Sequence, residues 1–161
     1  MDESQKKQAM IIALRTLAAS PKSRMEITRK LKEKGFPSEV IKETLEGLEK
    51  SGFLNDKSYA QNLAFKLTQA KPSGSRKLQF ELKRHGIPEK VREEILSGLS
   101  EEDEKKRALE LGNARWERFK TLDPQKKRKR VFDFLMRRGF DFNIVREVMD
   151  ELYTGNEDAE D

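Results

Sequence analysis

Apolar residues recur along the chain with a helical period, and one such stretch occurs three times. Over residues 31–48, 82–99 and 135–152 a leucine begins the stretch, a glycine follows four positions later, and an apolar residue follows the glycine. The three glycines, Gly35, Gly86 and Gly139, are 51 and 53 residues apart. This self-similarity predicts an array of small repeats that bury their apolar faces against one another.

The helix after each glycine carries its apolar side chains at positions i, i+1, i+4, i+5 and i+8. This is a stripe along a helix and not the alternation of a strand. A shorter helix before each glycine carries one inward pair, four residues apart. The predicted core therefore comprises Ile27, Leu31, Val40, Ile41, Thr44, Leu45 and Leu48; Leu78, Leu82, Val91, Ile95, Leu96 and Leu99, with Arg92 interrupting this second stripe; and Val131, Leu135, Ile144, Val145, Val148, Met149 and Leu152.

A third helix opens each repeat, over residues 6–19, 56–70 and 102–120. The first of these carries Met10, Ile11, Leu14 and Leu17 on one face, and the last carries Ala108, Leu111, Arg115 and Phe119. We therefore predict an all-α fold, an elongated arch of three tandem three-helix repeats that are helix-turn-helix-like. The predicted repeats cover residues 1–53, 54–99 and 100–154, and a disordered acidic tail follows over 155–161.

Local signals mark where the helices begin and end. Ser23 and Glu26 form a capping-box pattern, in which the serine accepts from a backbone N–H and the glutamate reaches back to the cap. Asp123 before Pro124, and Ser100 before three acidic residues, predict two further helix starts. The three repeated glycines suit the left-handed position just after a helix, where a side chain is strained.

Composition narrows the class of protein. The chain has 161 residues, of which 39% are charged and 35% hydrophobic, with no cysteine and a net charge of +5. Such values are typical of disordered chains, but the periodic apolar positions favour a folded one. No run approaches the ~18–20 apolar residues of a membrane-spanning helix. The first residues show no apolar signal region, so we expect a cytoplasmic protein with no membrane partner.

The chain offers little for catalysis. Its one histidine, His85, lies next to Gly86 in the last turn of a helix, where a cation favours the helix dipole. Without cysteine there is no nucleophile–base pair and no zinc constellation, and no phosphate-binding loop is present. Glu93 and Glu94 point about 100° apart on their helix. We therefore expect no enzyme and no cofactor, although the fold could still bring distant carboxylates together.

Three motifs resemble the RecX regulatory proteins. The first is Ser23-Arg24-x-Glu26-Ile27, followed by Leu31 and Gly35. The second is Leu54-Asn55-Asp56-x-x-Tyr59-Ala60, and the third runs from Gly74-x-Arg76-Lys77-Leu78 through Glu81, Leu82, Gly86 and Ile87. The resemblance spans residues 9–152. The third repeat departs most, because it keeps only the apolar framework and its glycine.

The resemblance implies a regulator of the RecA recombinase. Such proteins bind along the RecA–single-stranded-DNA filament, in its helical groove, and inhibit strand exchange, ATP hydrolysis and coprotease activity. They thereby regulate recombination, DNA repair and the SOS response. One arch per chain further predicts a monomer.

Basic residues recur on the face opposite the predicted core. We expect this face to bind the RecA filament, with weak electrostatic contact to single-stranded DNA. A merely solvated face, and structural roles for Arg24 and Arg76, are the alternatives. The candidate contacts are Arg24, Arg29, Lys32, Arg76, Lys77, Lys83, Arg84, Lys126, Lys127, Arg128, Lys129, Arg130 and Arg137.

Two further features allow more than one interpretation. Most aromatic side chains near the basic residues fit the core, although some could stack on bases; Phe80 lies opposite Leu78 and should face a neighbouring repeat or a partner. Without Glu157, Asp158, Glu160 and Asp161 the net charge would be +9, so the tail either aids solubility or competes for the basic face.

Two other functions fit the same pattern. One is a tandem helix-turn-helix DNA-binding protein that acts without RecA. The other is a helical adaptor that binds an acidic protein and no nucleic acid.

Overall fold

The computed structural model describes residues 2–157, and within this range the chain forms nine α-helices and no strand. A π-helical turn, Lys66–Ala70, directly continues the fourth helix. The all-α prediction is confirmed. The helices are α1 (Glu3–Ala19), α2 (Arg24–Glu33), α3 (Ser38–Lys50), α4 (Asp56–Phe65), α5 (Ser75–Arg84), α6 (Glu89–Ser97), α7 (Glu101–Arg118), α8 (Pro124–Arg137) and α9 (Phe142–Glu157).

The described residues fall into two compact units. The first runs through Asn62 and adds Leu82–Glu93. The second takes Leu63–Glu81 and everything described from Glu94 onward. The middle predicted repeat, residues 54–99, therefore contributes helical segments to both units.

The core of the first unit is built by α1, α2 and α3. All five predicted positions of the α3 stripe are buried, as are Ile27 and Leu31 on α2. On α1 the predicted Met10, Leu14 and Leu17 pack against this core, but Ile11 is 48% exposed and was predicted wrongly, and Ala9 and Ala13 are the fully buried residues. Small side chains such as alanine let helix backbones approach closely, and a Cβ at Gly47 of α3 would lie 3.2 Å from the Met10 methyl group.

The core of the second unit is built by α7, α8 and α9. Each predicted apolar residue of α8 and α9 is buried, and Phe140 joins them with no exposed surface. Gly112 allows α9 to approach α7, because a Cβ at this glycine would lie 2.9 Å from Leu152 Cδ1. Trp116, 6% exposed, belongs to this core.

Helix α6 departs from the predicted pattern. We predicted that Val91, Ile95, Leu96 and Leu99 would be core residues, but each is only half-buried. Arg92 interrupts the stripe, and its guanidinium donates to the Ile87 carbonyl 2.7 Å away instead of packing. The apolar stripe of α6 is therefore only partly buried. A pattern of apolar residues alone does not distinguish such a face from one that is fully buried in a core.

The predicted helix caps and the left-handed glycines are confirmed. Ser23 and Glu26 form the complete capping box, and the side chains of Ser100 and Asp123 accept from the backbone of α7 and α8. The three repeated glycines adopt positive φ values of 83°, 72° and 79°. Gly52, φ 77°, is a fourth left-handed glycine that the repeat pattern did not single out.

Helix α9 continues three residues into the predicted tail, as far as Glu157. The Thr154 hydroxyl donates to the carbonyl of Asp150 at 3.0 Å, within the same helix, and no proline interrupts the turn that follows. The remainder of the predicted acidic tail, residues 158–161, lies outside the described residues.

Candidate functional site

Two similar joints link successive repeats, and they place several candidate residues. In each joint the N-terminus of the second, or middle, helix of one repeat meets the glycine turn that follows the middle helix of the next repeat. The start of α2 thus meets the turn after α5, and the start of α5 meets the turn after α8. The first joint, within the first unit, comprises Ser23, Arg24, Glu26, Asp56 and His85. The second joint, within the second unit, comprises Gly74, Ser75, Glu104, Arg138 and Gly139.

In the first joint, polar groups satisfy the free N–H groups at the start of α2. The Asp56 carboxylate accepts from the Arg24 backbone N–H at 2.8 Å, and Glu26 accepts from the Ser23 N–H at 2.9 Å. The Ser23 hydroxyl donates to the backbone carbonyl of His85, across 62 residues of sequence.

His85 has a structural place in this joint. Its Nδ1 lies 2.5 Å from Glu26 Oε1, and its ring centroid lies 5.5 Å from that of Tyr59. The following residue, Gly86, is so close to Met25 that a Cβ would overlap the sulfur atom. The sequence predicted a structural histidine, but it did not predict the carboxylate partner.

The stability of the first joint is expected to depend on pH through Glu26. Burial raises the pKa of this carboxyl, but hydrogen bonds from His85 and Ser23 outweigh burial and hold it below its ordinary 4.5. A lowered pKa stabilises the fold above the unfolded-state value, and this contribution is lost as the pH falls through the folded-state value. Urea unfolding below pH 4.5 should therefore show a weaker pH dependence in Glu26→Gln than in the unchanged protein.

Ionisation of Asp56 changes stability in the opposite direction to ionisation of Glu26. The stabilities of Glu26→Gln and of the unchanged protein must therefore be compared at each pH. Burial is the main reason that the pKa of Asp56 lies above its ordinary 3.8, so its ionised form costs stability as the pH rises. Identical pH profiles for Glu26→Gln and the unchanged protein would contradict the assignment to Glu26.

The second joint repeats this arrangement with other side chains. Glu104 on α7, 6% exposed, accepts from the backbone N–H of Ser75 at 2.8 Å and from its hydroxyl at 3.0 Å. The Gly74 N–H donates to the Arg138 carbonyl at 2.9 Å. The Arg138 guanidinium in turn donates to the Pro72 carbonyl. In both joints a carboxylate from the first helix of the following repeat thus caps a middle helix. Asp56 on α4 caps α2, and Glu104 on α7 caps α5.

The candidate residues of the first unit differ in what they contact. Arg29 and Lys32 are exposed on the face of α2 opposite Ile27 and Leu31, and Lys83 and Arg84 are exposed at the end of α5. This agrees with their predicted outward placement. Arg24 is different, because its Nε lies 2.7 Å from Glu49 Oε1 while its backbone binds Asp56. Its contacts correspond to the structural alternative.

At the start of α5, the two neighbouring candidates also differ. Arg76 is exposed, whereas Lys77 is half-buried. A Cβ on Gly139 would overlap the Cβ of Lys77, so the base of this lysine packs on the glycine turn. Lys77 therefore contributes to the second joint.

The basic run of α8 is held partly by aromatic rings. Lys127 Nζ lies 4.4 Å from the centroid of Trp116. The guanidinium of Arg128 lies 5.2 Å from Tyr153 and pairs with Asp150 at 3.5 Å. Lys126, Lys129 and Arg137 are exposed. Because consecutive residues point about 100° apart, the run surrounds the helix and does not form one flat patch.

One basic residue near this run was not among the candidates predicted from the sequence. Arg115 on α7 fell among the inward positions of its helix, but its guanidinium carbon lies 4.2 Å over the ring of Phe134. Arg130 stands similarly over Phe119, at 5.6 Å. The sequence did contain a sign of this exception, because Arg115 occupies a position of α7 where the helical period predicts an apolar residue.

The aromatic predictions are largely confirmed. Trp116 and Phe140 are buried, and Phe119, Phe132 and Phe134 pack against the core of the second unit. Phe80 is 64% exposed, as its position opposite Leu78 predicted. Within residues 2–157 no helix is long and apolar enough to cross a membrane, and no three metal-binding side chains gather.

Comparison with known proteins gives the family. Residues 9–48 match the first three-helix domain of RecX, and residues 101–149 match the third three-helix domain of RecX. A regulatory protein RecX from Chlorobaculum tepidum is 35% identical over 161 residues, which cover 99% of this chain and 96% of that protein. The chain belongs to the RecX family of regulatory proteins.

Other RecX proteins extend the likeness over the same length. The regulatory protein RecX of Prosthecochloris aestuarii is 36% identical over 156 residues, 96% of this chain and 99% of that protein. The crystal structure of RecX from Lactobacillus salivarius superposes with a TM-score of 0.83 over 94% of this chain and 98% of that chain. At 20% identity this likeness shows the fold, and it confirms the tandem helical repeats.

Parts of all three RecX motifs meet in the first joint, although the third motif begins at Gly74 in the second joint. The Ser23-Arg24-x-Glu26 motif supplies one side, and Asp56, Tyr59 and the turn at Gly86 supply the other. These motif residues therefore have a structural explanation in this chain. Candidate contacts for a partner remain on the exposed basic residues of α2, α5 and α8.

Proposed function

We propose that this protein binds the RecA–single-stranded-DNA filament and inhibits the recombinase, ATPase and coprotease activities of RecA. Its likeness to RecX regulatory proteins over nearly its whole length carries the proposal. Exposed cations on α2, α5 and α8 support it, because a nucleoprotein filament presents phosphates and acidic side chains.

Arg29 and Lys32 allow a test of the basic surface on α2. Reversing both charges, with Arg29→Glu and Lys32→Glu, should weaken binding to preassembled RecA filaments. The loss should be largest at low salt, because salt screens exposed charges. Binding is measured as the anisotropy of labelled filaments, assembled on single-stranded DNA with a non-hydrolysable nucleotide.

A matched variant controls for net charge. Lys7 and Lys50 are exposed basic residues outside the candidate set, so Lys7→Glu with Lys50→Glu makes the same change in net charge elsewhere. This control should retain most of the affinity. Equal losses in both double variants would contradict a specific role for α2 and leave only general attraction.

A DNA-binding protein that acts without RecA would behave differently. It would bind bare DNA with a preference for sequence, and it would leave RecA activity unchanged when saturating. Sequence-independent binding that strengthens on the filament supports the RecA proposal instead.

A further inference from the structure

An open cleft of about 330 Å³ lies beside α7 and α8 in the second unit. Its walls combine cationic and aromatic side chains with one carboxylate. The residues lining it are Arg115, Phe119, Arg130, Asp133, Phe134 and Arg137.

Two of the three guanidinium groups lie over aromatic rings. The guanidinium carbon of Arg115 lies 4.2 Å from the centroid of Phe134, and that of Arg130 lies 5.6 Å from the centroid of Phe119. Stacking uses the face of a guanidinium and leaves its N–H groups in the plane free to donate.

The cations of this cleft outnumber its acidic side chains. In the described part of the chain, none of the three arginines takes part in an ion pair, whereas Arg128 on the same helix pairs with Asp150. Asp133 is the one carboxylate among the lining residues. Three guanidinium groups against one carboxylate leave the cleft positive and able to accept an anion.

We propose that this cleft binds the phosphodiester groups of single-stranded DNA directly. A guanidinium donates two parallel hydrogen bonds to a phosphate, which favours arginine at such sites. The exposed Lys126 lies one turn before Arg130 on the same face of α8 and extends the positive surface, and a row of cations suits the successive charges of a nucleic acid strand. The inference rests on the proposed function, because it assigns the part of the surface that touches DNA.

Binding to a labelled oligothymidylate in the absence of RecA tests the cleft. The variant Arg115→Ala with Arg130→Ala and Arg137→Ala should bind about tenfold more weakly or worse at low salt. The slope of log affinity against log salt should become shallower by about 0.7 for each phosphate that the variant no longer binds. Arg118→Ala is the control, because Arg118 is exposed on α7 and does not line the cleft.

Two milder variants keep the test independent of folding. Arg115→Lys retains the charge but not the planar donor fork, so it should bind more weakly than the unchanged protein. Asp133→Asn removes the repelling carboxylate and should bind severalfold more tightly. Glu110→Gln makes the same charge change at an exposed position of α7 outside the cleft, and it should have little effect.

The outcomes separate this inference from the proposed function. If the triple variant and Asp133→Asn both bind the oligonucleotide as tightly as the unchanged protein, the cleft is not a DNA-binding site, even where the unchanged protein inhibits RecA. Displacement of the oligonucleotide by polyglutamate at equal charge concentration would also overturn it, in favour of an acidic protein partner. Weakened oligonucleotide binding in the triple variant, with a tighter Asp133→Asn, supports the cleft whether or not RecA is inhibited.

Discussion

Gly139→Ala is expected to destabilise the second unit by more than about 3 kcal/mol. Gly139 has a φ of 79°, which costs an L-residue about 1–2 kcal/mol. Its Cβ would also lie 2.6 Å from the backbone nitrogen of Lys77, so α5 would have to move away from the turn. Urea unfolding followed by the fluorescence of Trp116, which is buried in this unit, measures the change in stability.

Gly35→Ala is the matched control for this substitution. Gly35 has nearly the same φ, 83°, but nothing lies within 4 Å of the position of its Cβ. It should therefore show only the conformational cost of about 1–2 kcal/mol. If the two alanine variants are destabilised equally, the close approach of α5 at the second joint is not a constraint on the fold.

Glu104→Ala should have the next largest effect, a destabilisation of about 2–3 kcal/mol. The carboxylate is buried and accepts two hydrogen bonds from Ser75, at the start of α5. Removing it leaves the Ser75 N–H without a partner and takes an anion away from the helix N-terminus. Thermal or urea unfolding measures the effect. The stability of Glu104→Gln should lie between that of the unchanged protein and that of Glu104→Ala, because its amide oxygen still accepts a hydrogen bond.

The same helix offers the control for Glu104. Glu110 is exposed on α7, so Glu110→Ala removes a carboxylate without removing a cap. Its cost should stay below about 0.5 kcal/mol. A Glu104→Ala variant as stable as Glu110→Ala would show that the contact with Ser75 contributes nothing to the joint.

Features set by neighbouring residues could be predicted from the sequence. The capping box at Ser23, the caps at Ser100 and Asp123, and the left-handed glycines each depend on residues a few positions apart. The stripes of α3 and α9 were also predicted correctly, because both helices have a full partner helix to cover them.

Features that depend on distant segments could not be predicted in this way. The stripe of α6 resembles that of α3, yet it remains half-buried because burial depends on what covers a helix. The acid caps join Arg24 to Asp56 and Ser75 to Glu104, pairs about thirty residues apart in sequence.

The same limit applied to the candidate surface. Periodicity correctly placed Arg29 and Lys32 outward, but it assigned Arg115 to the core side. The Arg115 side chain lies over Phe134 and also lines the cleft, and no spacing rule predicts both contacts of one side chain.

Regulation of RecA can be measured through the rate of ATP hydrolysis by RecA on single-stranded DNA. Increasing amounts of this protein should slow hydrolysis, and inhibition should be evident with fewer copies of this protein than of RecA. The Arg29→Glu, Lys32→Glu variant should need a higher concentration for the same effect. An unchanged rate of hydrolysis at saturating protein would contradict the proposed function.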